Sequence, residues 1–179
     1  MTQAHTEPVQ VGRGLLSAAR REAAAYRDGE ERPLGSFLAV MGAYGALVGA
    51  AGVAARRRGL PERVAWSDLA LSSVATYKVS RLLAKDPVTS PLRAPFTRFA
   101  GTSGDAELAD EVRGTGPRKA IGELVTCPFC LAQWVATGFA FGLVLAPRAT
   151  RMTAGVFTMV TGAELLHFAH AGAQQGIES

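Results

Sequence analysis

Two long stretches of this chain carry no charged residue: 23 positions from Pro33 to Ala55 and 24 from Leu124 to Pro147. A soluble helix of that length would show water a charged face, so these gaps exclude an ordinary surface helix at either place. Each matches the hydrocarbon core of a bilayer, which takes about 20 apolar residues at roughly 1.5 Å apiece. Lysine is scarce, 3 against 16 arginines, and the excess of +4 rests on arginine. In a chain with such apolar blocks, arginine marks loops beside anionic lipid and gives no sign of a nucleic-acid partner. Cysteine is scarcer still, two residues in 179, which excludes a disulfide framework. GTGPRK at 114–119 lacks the spacing and the preceding strand of a phosphate loop, and no internal repeat is visible. The first apolar run starts after about thirty polar residues and is followed by Arg56, Arg57 and Arg58, the pattern of a retained anchor rather than a cleaved signal.

What is present reads as an all-α, polytopic membrane protein with about four transmembrane helices. The first runs over 33–55, with Gly42, Gly45, Gly49 and Gly52 allowing close helix approach. The second, WSDLALSSVATYKVSRLLAKD from Trp66, is interrupted by Asp68, Lys78 and Arg81. Ser72, Thr76 and Ser80 form a small polar seam on it, and Lys78, Arg81 and Lys85 share an arc from which long stems reach the interface. It either spans, or lies on the surface and leaves three spans. The third covers 128–146 and the fourth 152–172, joined by about five residues as an antiparallel hairpin. Residues 33–172 thus form the membrane domain, between a polar segment at 1–32 and a tail at 173–179. Residues 1–10 read as disordered. In 12–28, Leu15, Leu16, Ala19, Ala23 and Tyr26 oppose Arg13, Arg20 and Arg27, as in an interfacial or a solvated helix. Residues 86–122, with Pro87, Pro91 and Pro95, form a polar loop or small cap with a short helix near Asp105 to Val112.

Several of these residues carry a family resemblance. Lys78, Ser80, Arg81 and Leu82, then Asp86, then Leu92, Arg93, Pro95 and Phe96, then CPFC before Trp134, resemble the domain of unknown function 1360. The resemblance covers about 66–172. It implies a small bacterial membrane protein in a family with one member linked to Bacillus sporulation, and it implies no chemistry.

The candidate sites are two. Cys127 and Cys130 stand at a helix start, where Pro128 suits the first turn and the dipole favours a thiolate. With a turn near residue 149 or 150, Cys130 is expected level with Ala169 and Cys127 with Gly172, which brings His167 and His170 to the thiols. Two thiolates and two imidazoles would suit tetrahedral zinc. The alternatives are thiol redox chemistry and a packing role. The second candidate is Glu164, expected about one turn deeper and paired with Lys78, Arg81 or His167, with Gln133 and Thr137 completing a polar cluster. Either topology puts CPFC on the cytoplasmic side of a bacterial inner membrane, where thiols stay reduced. The expected role is a non-enzymatic structural or assembly component of the envelope. Its partners would be the bilayer and a second copy or another membrane protein; the alternative is a thiol-redox or zinc protein centred on CPFC.

Overall fold

The computed structural model describes residues 14, 17–18, 21–26, 32–104 and 106–178. The expectation for 1–10 falls outside the described residues, as do Arg13, Leu15, Leu16, Ala19, Arg20 and Arg27; residues 21–26 are helical.

Helix α1 is Leu34–Arg58, α2 is Trp66–Lys85, and a 3₁₀ turn at Pro87–Thr89 leads to the short α3, Ser90–Arg93. Strands β1, Thr97–Gly104, and β2, Glu107–Val112, follow, then α4, Gly116–Thr126, α5, Pro128–Leu145, and α6, Pro147–Glu178. The local causes are readable. Arginines 56–58 complement the dipole at the end of α1, and Gly59, at φ 86°, supplies the left-handed residue that stops it. Pro117, Pro128 and Pro147 each lie in a first helical turn, where their missing N–H groups cost nothing.

Contacts fix the helix directions. Arg32 pairs with Glu123 and Tyr44 meets Thr137, so α1 runs with α4 and α5. Ala75 packs against Phe139, and Val79 lines a cavity with Val135, so α2 opposes α5. Asp68 joins Arg151 and Lys78 joins Glu164, so α2 and α6 run together. The result is an up-down-up-down bundle. Its centre is small: Ala75 and Ala154 are buried beside Phe139, so the backbones of α2 and α6 approach closely. Thr158 Oγ1 reinforces this by donating to the Leu71 carbonyl at 3.2 Å. At the far end Arg151 grips both oxygens of the buried Asp68, at 2.9 and 2.8 Å.

Two helices, α1 and α5, are long and apolar enough to cross a membrane. The other two expected spans do not meet that measure alone, because α2 carries Asp68, Lys78 and Arg81 and α6 dilutes its apolar residues with Thr153, Thr158, Thr161, Glu164 and His167. The chain is not all-α. The expected helix near 105–112 is strand β2, antiparallel to β1 from Thr97↔Val112 to Gly104↔Glu107, with Ala106 at φ 59° in the tip. In the segment expected as a C-terminal tail, 173–179, α6 continues through Glu178. Gly42, Gly45, Gly49 and Gly52 do not serve packing within the described chain: nothing stands within 4 Å of where a Cβ would sit.

Candidate functional site

The last turns of α2 form the wall of a cavity of about 350 Å³. Tyr77, Lys78, Arg81 and Lys85 point into it, Glu164, His167 and Phe168 of α6 form the opposite wall, and Ala106 and Glu107 of the hairpin roof it. Helical spacing puts 78, 81 and 85 on one arc, which is why one face of α2 is basic. Lys78 pairs with Glu164 and Arg81 with Glu107, the latter through Nε at 3.0 Å and again through Nη2. The Arg81 guanidinium also lies 5.8 Å from the centre of the Tyr77 ring, within cation–π range. Ser80 takes no part: it is buried on the other side of the helix and donates to the Tyr77 carbonyl at 2.9 Å.

Beneath the cavity the end of α2 is closed by a buried knot. Asp86 accepts from the Val88 N–H at 2.8 Å and caps the 3₁₀ turn. Thr89 donates to the Leu82 carbonyl at 2.6 Å, and Arg93 donates through Nη1 to Leu83 O at 2.9 Å and to Thr89 Oγ1 at 2.7 Å. These donors answer carbonyls that a helix end leaves without partners. Arg93 Nη2 reaches Asp86 O at 3.2 Å, and its Nε reaches Asp110 of β2 at 2.6 Å. The carbonyls of the following loop are held in turn, Ala94 by Arg113 at 2.8 Å and Pro95 by Arg118 at 2.7 Å. Gly122 packs α4 onto this cap so closely that a Cβ there would stand 2.6 Å from Val112 Cγ1.

The cysteines sit where α4 gives way to α5. Cys127 is the N-cap of α5, and its Sγ accepts from the Cys130 N–H at 3.3 Å. Burial pushes the Cys127 thiol up, but hydrogen bonds from Cys130 and the Phe129 backbone, with the charge of Lys85, outweigh it and hold the thiol below its ordinary value. Both cysteines are free thiols.

The expected meeting of thiols and imidazoles rested on a five-residue turn. The turn between α5 and α6 is a single residue, Ala146, and Gly142 faces Thr150. This moves the register by about two helical turns, so that, with Val135 and Phe157 in one cavity, Cys127 falls level with Leu165 rather than Gly172. Glu164 accordingly lies near the start of α5, not a turn deeper in the bundle. His167 faces the α2 cavity, and His170 Nε2 lies 3.2 Å from Gln174 Nε2. Among the described residues no three of His, Cys, Asp and Glu come together in a way that could hold a metal ion. Gln133 and Thr137 also belong elsewhere. Gln133 donates to the Tyr44 hydroxyl at 2.7 Å, which reaches Thr137 Oγ1 at 2.7 Å, while the Tyr44 and Trp134 rings meet edge-on at 5.0 Å. These four residues fasten α1 to α5.

Sequence reasoning found Lys78, Arg81 and Glu164 but missed the partners Glu107, Asp110 and Arg151. The available signal was that Asp68 and Arg93 each needed a counter-charge once buried.

These features define a class: a small helical protein with two membrane-length helices, whose bundle is tied at both ends by ion pairs and closed at one end by a hairpin cap. Within that class the chain belongs to the family described as a protein of unknown function (DUF1360), which it matches over residues 71–170. It is similar to the sporulation protein YjcA of Bacillus subtilis (strain 168), 35% identical over 71 residues that make up 38% of this chain and 60% of the relative. The match therefore spans less than two thirds of that relative's length. No solved structure matches the chain.

Proposed function

We propose that this protein crosses the bacterial cytoplasmic membrane four times and holds a rigid cap at its surface, as a non-enzymatic assembly component of the envelope. One observation carries the reading: the most apolar window of α1 buries none of its residues, leaving Leu38 and Met41 65% and 66% exposed. An apolar surface that long needs lipid or another helix against it. The reading extends to α2 and α6 because their charges answer one another, Lys78 with Glu164 and Asp68 with Arg151. Membrane helices tolerate ionised residues when they are paired, and here the inner partner of each pair, Lys78 or Asp68, is largely buried. In this reading the outer surface of the cap, which the buried Arg93–Asp110 pair holds in place, would meet a second copy or another envelope protein, and the sporulation name of the similar protein accords with such a role.

The test is a labelling map in a background where Cys127 and Cys130 are serine. In intact cells a membrane-impermeant maleimide is expected to label Leu60→Cys and Arg148→Cys, and to spare Thr102→Cys and Gln174→Cys until the cells are opened. Equal labelling of positions 60 and 102 from outside would rule out a crossing by α2.

A second reading, a thiol protein centred on Cys127 and Cys130, is favoured by the Cys130 N–H to Cys127 Sγ contact at the start of α5. A zinc form requires His167 and His170 to move to the thiols. One zinc per detergent-purified chain, lost when both cysteines are serine, would establish it.

A further inference from the structure

We propose that Cys127 and Cys130 form a thiol–disulfide exchange site that reduces a disulfide on another polypeptide, with Cys127 as the entering sulfur and Cys130 as the resolving one. The inference rests on the second reading above, a thiol centre in CPFC, and does not depend on how many helices cross the membrane. Cys127 is the N-cap of α5, and Cys130 stands three residues on, in the first turn. Its N–H reaches Cys127 Sγ at 3.3 Å, and its thiol donates to the same sulfur. The two sulfurs are therefore neighbours before any reaction. Both thiols are free, Cys130 exposed and Cys127 half-buried. Burial works against a thiolate at Cys127, but the hydrogen bonds from Cys130 and the Phe129 backbone, with the Lys85 charge, outweigh it. The thiolate is the attacking species, so Cys127 enters first.

The Cys127 sulfur attacks one sulfur of the partner's disulfide, forming a mixed disulfide and releasing the other partner sulfur as a thiolate. Cys130 then gives up its proton and attacks Cys127 Sγ, which breaks the mixed disulfide and releases the second partner sulfur. The chain's dithiol loses two electrons and becomes a Cys127–Cys130 disulfide, the partner's disulfide gains them, and the two protons reach the partner's thiols through solvent. The surroundings favour a polypeptide partner. Neither cysteine lines the cavity beside the last turns of α2, the one between α5 and α6 or the one between α1 and α4, so the pair meets its co-reactant on the open surface. Between the two cysteines Phe129 is 89% exposed, an apolar platform for a peptide that flanks the reacting disulfide.

The experiment uses the full chain in dodecyl maltoside, reduced and then freed of reductant. At neutral pH it is mixed with a short disulfide-linked peptide dimer carrying leucine beside its cysteine, quenched with acid and read by mass spectrometry. The wild type is expected to lose both alkylatable thiols and release two peptide thiols per chain without a lasting adduct. Cys130→Ser should stop at a peptide adduct on Cys127. Cys127→Ser, which keeps a favourable N-cap residue, should react at least about fivefold more slowly. Phe129→Ser should slow the peptide reaction about threefold and leave that with glutathione disulfide unchanged. A lasting adduct on the wild type, or equal rates for the two serine variants, would overturn the exchange site. Equal slowing of both disulfides by Phe129→Ser would overturn the polypeptide assignment. The pH midpoint of Cys127 alkylation is read on the same preparations. A low midpoint without an internal disulfide sinks the exchange and leaves the thiol centre standing, whereas a midpoint equal to a free peptide's removes the thiol centre itself.

Discussion

Arg93 donates through Nε to Asp110 at 2.6 Å, and the two side chains are only 1% and 6% exposed. This pair joins the end of α2 to β2 and is the most deeply buried charge contact among the described residues. Removing one partner strands the other charge away from water, at a cost of about 3–5 kcal/mol. Arg93→Ala and Asp110→Ala are each expected to release the cap while leaving the helices formed. Limited trypsin digestion in detergent should then cut at Arg98 or Arg113 at protease levels that spare the wild type. Uncut cap in both variants would mean that the ion pair does not hold it.

The turn between α5 and α6 makes a second, sharper prediction. A Cβ on Gly142 would meet Thr150 Oγ1 at 2.6 Å, whereas one on Gly138 would meet nothing within 4 Å. Gly142→Ala should lower stability by about 1–3 kcal/mol through overpacking, and Gly138→Ala should be close to neutral. Adding Thr150→Ala removes the two nearest atoms and should restore most of the loss, a coupling that additive effects would not show. Chemical unfolding of these three variants and of Thr150→Ala alone measures it.

How much was legible follows from how local each cause is. The absence of charge across 34–55 and 128–145 is a local property, so α1 and α5 could be placed from the sequence. Pro147 also marks a helix start, and a fourth helix counted from Met152 instead puts Cys127 level with Gly172 where the structure has it level with Leu165. The hairpin was hidden for a different reason. TRFAGTSG alternates no apolar residues, and its pairing with ELADEV rests on the backbone and on Arg93 reaching Asp110 from 17 positions away. Distant counter-charges such as Arg151 for Asp68 leave no periodic trace in a single sequence.

Lys78 and Glu164 offer a test of the inner ion pair. The Lys78 side chain is 14% exposed, so Glu164→Leu leaves an ammonium facing the bundle without its partner. Removing one partner of a largely buried pair leaves the other charge away from water without compensation, which is destabilising. Glu164→Leu should therefore reduce the yield of monodisperse protein in detergent. Lys78→Leu with Glu164→Leu should recover it, because two apolar side chains replace a buried pair at little net cost. Size-exclusion profiles of the single and double variants decide between these outcomes, and a double variant as poor as the single would refute the pairing argument.

The last prediction concerns pH. Burial raises the Cys127 thiol, and the hydrogen bonds from Cys130 and Phe129 with the Lys85 charge bring it below the ordinary value. Its thiolate is thus stabilised in the folded chain. The linked stability is fully present above the unfolded thiol value of about 8.5 and is lost as pH falls through the lowered folded value. Two measurements follow. Alkylation of Cys127 in a Cys130→Ser variant, whose hydroxyl can still donate to the Cys127 sulfur, should rise with pH to a midpoint below that of a free cysteine peptide. Lys85→Gln removes a charge that favours the thiolate and should move the midpoint upward. A midpoint at or above the peptide's in the Cys130→Ser chain would mean that burial, rather than the hydrogen bonds and the lysine, governs this thiol, and the thiol reading would lose its support.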